Sequence, residues 1–150
     1  REALFSMLAS RLGSFEGLAV ADLFAGSGAL GIEALSRGAG SCLFVEQDRA
    51  ALDALKANLA KLGARGDVRA TSVLALGPAP APLDLVMMDP PYGTGAGSVA
   101  LDKLARLGWI GPTTWVSIET AREEPVAAGG FVANAERVHG KARLTLLRRE

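Results

Sequence analysis

Three features are scarce in this sequence, and each scarcity excludes a class of protein. Cys42 is the only cysteine among 150 residues, so no internal disulfide can form, and its apolar neighbours indicate a buried, unreactive thiol. Neither charge is in surplus, because 16 Lys and Arg balance 16 Asp and Glu, so any nucleic-acid contact must come from a local patch. No apolar run approaches the roughly 18 residues of a membrane span. We therefore expect a cytoplasmic protein without a membrane partner.

The composition fits one globular α/β domain. Hydrophobic residues make up 49% of the chain, which also contains 18 glycines. We expect residues 1–150 to form a single, monomeric domain. The sequence begins at Arg1 rather than Met, directly within a helical pattern, and this predicts that further residues precede it.

Strand-like and helical apolar patterns alternate along the chain. Helices are expected at residues 2–11, 29–37 and 49–62, and around 101–107. Strands are expected at residues 18–24, 41–46, 68–72, 83–88 and 114–119. Residues 131–138 and 142–148 flank the turn His139–Lys141 and predict an antiparallel hairpin. The alternation requires a mostly parallel, doubly wound sheet with right-handed crossovers, and the hairpin closes one edge.

The tetrapeptide Asp89–Tyr92 follows the fourth expected strand directly. It therefore lies at the strand's carboxyl end, where open α/β sheets bind ligands. Its two prolines fix the backbone and lack N–H groups, so the carbonyls of Asp89 and Pro90 are rigid acceptors, while Tyr92 supplies a flat ring. The motif predicts a site for an amino group attached to a flat ring. A proline-stiffened strand end without a function is the alternative.

A glycine-rich turn follows the first expected strand. Gly26–Gly31 has the G-x-G-x-x-G pattern, and Glu46 lies at the end of the second strand, which alone would suggest a nicotinamide dinucleotide. Asp22, however, would repel a pyrophosphate and could accept hydrogen bonds from an ammonium group. S-adenosylmethionine has that ammonium, together with ribose hydroxyls for Glu46 and an adenine ring for the apolar surface near Gln47. The alternative for Asp22 is a turn or capping carboxylate.

Several segments, in this order and spacing, carry a resemblance to a known family. Residues 22–33, 45–49 and 89–92 resemble class I methyltransferases that modify exocyclic amines. More closely, Arg1–Phe5 and the segments 24–39 and 139–144 are similar to bacterial 16S ribosomal RNA guanine-N2 methyltransferases. The resemblance implies a Rossmann-like class I methyltransferase fold, S-adenosylmethionine as cofactor, and 16S ribosomal RNA or the assembling small ribosomal subunit as partner.

The resemblance also implies roles for individual residues. Gly26 and Gly28 would let the cofactor approach the backbone, and Glu46 would bind the ribose hydroxyls. After the third strand such enzymes often place Asp or Asn against the adenine amine, whereas here Ser72 and Val73 follow, so we expect the Ser72 hydroxyl and the Val73 amide to contact adenine. The expected cofactor-binding residues are Asp22, Phe24, Ala25, Gly26, Ser27, Gly28, Glu46, Gln47, Ser72, Val73 and Asp89.

The expected reaction is direct in-line transfer of the methyl group to guanine N2, with neither a covalent enzyme intermediate nor a metal. The candidate catalytic residues are Asp89, Pro90, Pro91 and Tyr92. The Asp89 carboxylate and the Pro90 carbonyl would accept the amine N–H bonds, and Tyr92 would stack on the extruded base.

Lys141 and Arg143, in the basic tail of the chain, join Tyr92 as candidate RNA contacts, although a solvated hairpin face would look the same. His139 is expected at the surface or at RNA rather than on a metal.

Other functions stay open at this point. An adenine-N6 or cytosine-N4 DNA methyltransferase can use Asp-Pro-Pro-Tyr, but it generally needs an additional target-recognition region. A protein-glutamine methyltransferase more usually has Asn in place of Asp89. A nicotinamide oxidoreductase would leave residues 89–92 without a role. A non-catalytic RNA-binding domain could retain the same fold.

Overall fold

Helices and strands alternate along the chain in the computed structural model, which describes residues 1–150. The helices are α1 (Glu2–Leu12), α2 (Ala29–Ser36), α3 (Arg49–Leu62) and α4 (Ala96–Arg106), with a short 3-10 helix at Val73–Ala75. The strands are β1 (Ala19–Leu23), β2 (Ser41–Glu46), β3 (Asp67–Ala70), β4 (Leu85–Met88), β5 (Trp115–Ala121), β6 (Phe131–His139) and β7 (Ala142–Arg149). No helix has both the length and the apolar character needed to cross a membrane.

The seven strands form one sheet in the order β3-β2-β1-β4-β5-β7-β6. Strands β1 to β5 are parallel, whereas β7 is antiparallel to both β5 and β6. The predicted doubly wound sheet with a C-terminal antiparallel hairpin is confirmed. The strand order reverses between β1 and β4, so the carboxyl ends of these two strands lie side by side at the switch point where such sheets bind ligands.

The central strands are apolar on both sides because helices cover both faces of the sheet. All four residues of β4 are buried, and they alternate between the two faces. Helices α1, α2 and α3 pack on one face, where Phe5, Ala34 and Leu55 are fully buried. Helix α4 packs on the other face, together with Trp109 and Ile110. Because helices cover both faces, the carboxyl ends of the parallel strands are the part of the sheet left open to a ligand.

The elements differ from the sequence prediction mainly at their ends. Helix α3 agrees at both ends, and the Asp48 side chain caps it by accepting a hydrogen bond from the Ala51 amide at 2.9 Å. Helix α4 begins at Ala96, before the predicted segment. The prediction missed its first turn because that turn has no apolar periodicity. Gly97 in that turn packs directly on β5, and a Cβ there would lie 2.4 Å from Ile118 Cδ1. Strand β3 ends at Ala70, before its predicted end at residue 72.

Candidate active site

A cavity of about 590 Å³ opens at the carboxyl ends of β1, β4 and β5, where the strand order reverses. Its volume lies within the roughly 300–1,000 Å³ typical of sites for small molecules and cofactors. It is lined by Arg1, Ala3, Leu4, Asp22, Phe24, Ala25, Gly26, Ser27, Ala29, Leu30, Met88, Asp89, Ser117, Glu119, Arg137, His139, Ala142 and Leu144. The structure thus joins residues of the glycine-rich turn and Asp89 in one wall, whereas Pro90 and Pro91 line a separate, smaller cavity beside α4.

The glycine-rich turn forms one side of the cavity through an unusual backbone path. Phe24 has φ 58° and is the one non-glycine residue of the chain with positive φ, while Gly26 and Gly28 have φ 58° and 84°. A non-glycine residue held in this region is strained, and such residues cluster at functional sites. At Gly28 a Cβ would also lie 2.2 Å from Leu55 Cδ1, so a side chain there would require the buried Leu55 side chain to move.

Asp22 lies beneath this turn and is almost completely buried. Its Oδ2 accepts a hydrogen bond from the Gly31 amide at 2.9 Å, which ties the first turn of α2 to β1. Burial, followed by the charges of Asp89 and Glu46, raises the pKa of Asp22 to about 7 against the opposing effect of the Gly31 N–H. The Asp22 carboxylate therefore stabilises the turn, which was the alternative interpretation of this residue, and it also lines the cavity.

Glu46 holds two loops together from behind the cavity. Its Oε1 accepts a hydrogen bond from the Gly26 amide at 2.8 Å, and its Oε2 accepts from the amides of Gln47 and Asp48 at 2.9 and 2.8 Å. A carboxylate has about four lone-pair positions, so some acceptor capacity remains. Glu46 does not line the cavity in this structure, and its contact with ribose stays a prediction.

The remaining predicted cofactor residues also lie away from the cavity wall. Gly28 lies between the lining residues Ser27 and Ala29, and Gln47 follows Glu46, but neither Gly28 nor Gln47 lines the cavity. The Ser72 hydroxyl accepts a hydrogen bond from the Leu74 amide at 3.2 Å and so caps the 3-10 helix, while Val73 is buried in the core. The expected adenine contacts of Ser72 and Val73 are not tested by this arrangement.

Asp89 meets a second carboxylate, Glu119, at the mouth of the cavity. The pair follows the register partners Met88 and Ile118, so the two residues lie side by side on adjacent parallel strands. Asp89 is open to solvent on one side, yet partial burial, and after it the negative charge of Glu119, raises its pKa to about 6. Neither the Asp89 nor the Pro90 carbonyl accepts a hydrogen bond within the chain, so both are available acceptors.

Tyr92 is anchored at the rim by the same second carboxylate. Its hydroxyl donates a hydrogen bond to Glu119 Oε2 at 2.8 Å, and this bond is the main cause that raises the pKa of Tyr92 to about 12. The side chain is 47% exposed, so the ring remains accessible to a base arriving from solvent.

The basic residues near the end of the chain do not form a single positively charged patch. Arg143 pairs with Glu136 at 2.8 Å and donates two further hydrogen bonds to the Arg122 carbonyl at 3.0 and 2.8 Å, and its side chain is only 19% exposed. Arg148 lies over the Trp115 ring. Lys141 is exposed at the hairpin turn. Arg143 is thus occupied by the protein itself, and its predicted RNA contact would require these bonds to break.

Sequence reasoning missed several residues of the cavity, notably Ser117, Glu119 and Arg137 as well as part of α1. His139 is exposed, as the sequence predicted, and it also lines the cavity. Glu119 could have been found, because it lies at the end of a predicted strand at the same edge as Asp89. The chain contains no group of three or more His, Cys, Asp or Glu side chains placed to hold a metal ion.

Comparison with known proteins gives consistent matches over nearly the whole chain. The family model described as Conserved hypothetical protein 95 matches residues 1–148. Ribosomal RNA small subunit methyltransferase D of Escherichia coli K12 is 34% identical over 154 residues, which cover 100% of this chain and 76% of that protein.

Solved structures show the same similarity in three dimensions. A Haemophilus influenzae protein described as a methylase is 30% identical with a TM-score of 0.84, covering 99% of this chain and 94% of its own. A conserved hypothetical protein of Streptococcus pyogenes is 28% identical with a TM-score of 0.87, covering 100% and 95%.

Proposed function

The chain belongs to the family described as Conserved hypothetical protein 95, and to that of the small subunit ribosomal RNA methyltransferase D proteins; from this premise we propose that it methylates the exocyclic N2 of a guanine in 16S ribosomal RNA with S-adenosylmethionine. The observation that carries the proposal is the meeting of the Gly26 turn with Asp89 in one cavity. Residues 1–150 supply these parts from one domain, which would act as a monomer in the cytoplasm, where bacterial ribosomal subunits are assembled.

The cavity suits a cofactor that carries positive charge. S-adenosylmethionine supplies a methyl group on a cationic sulfonium and also has an ammonium group. Three carboxylates, from Asp22, Asp89 and Glu119, line the cavity. A cation placed beside Asp22 would favour its ionised form and offset the penalty that burial imposes on that charge. The open space at Gly26, where a Cβ would meet nothing within 4 Å, leaves room for a ligand against the turn.

The residues at the mouth position the amine for attack. An aromatic amine is a poor nucleophile because its lone pair is delocalised, so it must be held about 3–3.5 Å from the methyl carbon in line with the sulfur. Asp89 and the Pro90 carbonyl accept the amine N–H bonds and favour the pyramidal nitrogen of the transition state. When bound, the cofactor would supply the methyl group: the nitrogen lone pair would bond to its carbon, and the electrons of the carbon–sulfur bond would stay on sulfur. Asp89 or solvent then takes the proton that nitrogen loses.

The proposal is tested by methylation of 16S ribosomal RNA, as naked RNA and in partly assembled small subunits, followed by nucleoside mass spectrometry. We expect N2-methylguanosine. Calorimetric titration should show binding of S-adenosylhomocysteine and none of NAD. Asp89→Ala should lose at least about 100-fold in methyl transfer, a larger loss than its loss of affinity for S-adenosylhomocysteine. A methyl group on adenine N6 or cytosine N4 would overturn the proposed base, and binding of NAD alone would overturn the proposed reaction.

A further inference from the structure

Glu119 brings to the cavity a carboxylate that the reaction proposed above does not use. The residue lies on β5 beside Asp89, about 4.8 Å away in strand spacing. Its Oε2 accepts a hydrogen bond from the Tyr92 hydroxyl at 2.8 Å, and its carboxyl group also lies within hydrogen-bond contact of the Asp89 carboxyl group. Glu119 is half-buried and lines the cavity together with Asp89. The mouth of the cavity therefore presents two adjacent carboxylates, each of which only accepts hydrogen bonds when ionised.

Two adjacent acceptors discriminate between the bases that carry an exocyclic amine. In guanine the ring nitrogen next to the amine is N1–H, a donor. In adenine and cytosine the corresponding ring nitrogen carries a lone pair and is an acceptor. A carboxylate beside the reacting amine would therefore form a charge-assisted hydrogen bond with guanine and face a repelling lone pair in the other two bases.

We propose that Glu119 is a specificity-determining residue, which accepts the N1–H of the target guanine through Oε1 while Asp89 accepts an N–H from N2. The inference rests on the proposed function, since it assumes that N2 of guanine receives the methyl group. The Tyr92 hydroxyl holds Oε2 and so directs Oε1 toward the base. Sites built around a substrate N–H reject analogues that lack it far more strongly than apolar pockets reject a missing methylene.

The test compares two substrates that differ at N1. The target guanine, located by mass spectrometry with the wild-type enzyme, is replaced in synthetic RNA by 2-aminopurine, which keeps the C2 amine but has a lone pair at N1. We expect the wild type to favour guanine in kcat/KM by about 10- to 100-fold. Glu119→Gln keeps the shape and can donate its amide N–H to the N1 lone pair. The preference for guanine should therefore fall at least about tenfold.

The quantity compared between enzyme variants is the ratio of kcat/KM for guanine to kcat/KM for 2-aminopurine. Any difference in intrinsic reactivity between the two amines is the same for every variant and therefore cancels. A purely structural effect of Glu119→Gln would lower both rates and leave the ratio unchanged, and that result would overturn the inference. Tyr92→Phe keeps the ring and the Glu119 carboxylate but removes the bond that orients that carboxylate, so it should lower the preference for guanine less than Glu119→Gln does. The exposed Glu123→Gln, also a loss of one carboxylate, should change neither the rates nor the ratio.

The two proposals fail in different ways. Methylation of guanine N2 with an unchanged ratio in Glu119→Gln overturns the role of Glu119 alone. A methyl group on another base overturns the proposed function and the Glu119 inference with it. A wild-type enzyme that methylates guanine and 2-aminopurine equally well also overturns the inference, because N1–H would then contribute nothing.

Discussion

At the scale of single residues, Asp22 connects protein stability to cofactor binding. Burial raises its pKa to about 7, whereas an aspartate in an unfolded chain has a pKa of about 4. At a pH between these two values, the Asp22 carboxyl group is ionised in the unfolded state but still protonated in the folded state. The free energy of unfolding therefore falls as the pH rises from about 4 to about 7, and it falls by about 1.4 kcal/mol per pH unit, which totals on the order of 4 kcal/mol.

We expect Asp22→Asn to remove this loss. The Asn side chain cannot ionise, and its oxygen can still accept the Gly31 N–H. Urea denaturation at pH 4, 6 and 8 should show a variant more stable than the wild type by up to about 4 kcal/mol at pH 8 and nearly equal to it at pH 4. S-adenosylhomocysteine affinity should fall in the same variant. Asp53→Asn, at an exposed position on α3, is the matched control, and equal pH profiles for the wild type and Asp22→Asn would contradict the prediction.

Asp89 should set the acid limb of the activity. Its carboxylate must be ionised to accept an amine N–H, and its pKa is raised to about 6. At saturating cofactor, kcat/KM for RNA should rise about tenfold per pH unit below pH 6 and level off above it. In Asp89→Asn the limb should disappear and the plateau should fall about 100-fold. Persistence of the same limb in the variant would assign it to another group.

At the scale of elements, the sequence predicted most strands and helices because buried strands are continuous apolar runs and the helices have one apolar stripe. It failed where a local pattern is absent. Gly95 is the N-cap of α4 and Gly97 lies in its first turn, and the helix forms there because it packs on Ile118. Phe24 was placed within the first strand, whereas its backbone is left-handed, a conformation that no propensity predicts for phenylalanine.

The predicted parts of the site share one property, since each lies in a local motif. Asp22, the glycine turn and Asp89 were found in this way. Arg137 and His139 were not, because β6 contains a bulge between Ala133 and Ala135 that reverses the alternation of its side chains. As a result, Ala135, Arg137 and His139 lie on the opposite face of the sheet from Phe131. Only the pairing of β6 with β7 shows this.

Two arginines of the β6–β7 hairpin, Arg137 and Arg143, have different surroundings and therefore different expected roles. Arg137 lines the cavity, whereas Arg143 binds Glu136 and the Arg122 carbonyl. We expect Arg137→Ala to weaken RNA binding about three- to tenfold with an unchanged denaturation midpoint. Arg143→Ala should lower stability by about 1 kcal/mol, because it leaves these partners unsatisfied. Fluorescence anisotropy with RNA and urea denaturation separate the two effects, and the reverse pattern would restore Arg143 as the RNA contact.

At the scale of the whole molecule, charge balance limits how the chain can hold RNA. The formal net charge is zero, so attraction must come from a local group such as Arg137 and Lys141. Each phosphate contact with a single strand contributes a slope of about −0.7 to the dependence of log affinity on log salt. Two or three contacts predict a slope of about −2 between 50 and 200 mM salt. A slope steeper than about −5 in anisotropy titrations would show that a larger basic surface takes part.

The Glu46 carboxylate links the loop after β1 to the loop after β2 through the amides of Gly26, Gln47 and Asp48. Loop amides ordinarily exchange their hydrogens quickly, since small local openings expose them. These three should instead exchange slowly when the free protein is placed in deuterium oxide, and Glu46→Ala should release all three together. A ligand would then meet two loops that are already ordered, so little of its affinity is lost in fixing the backbone.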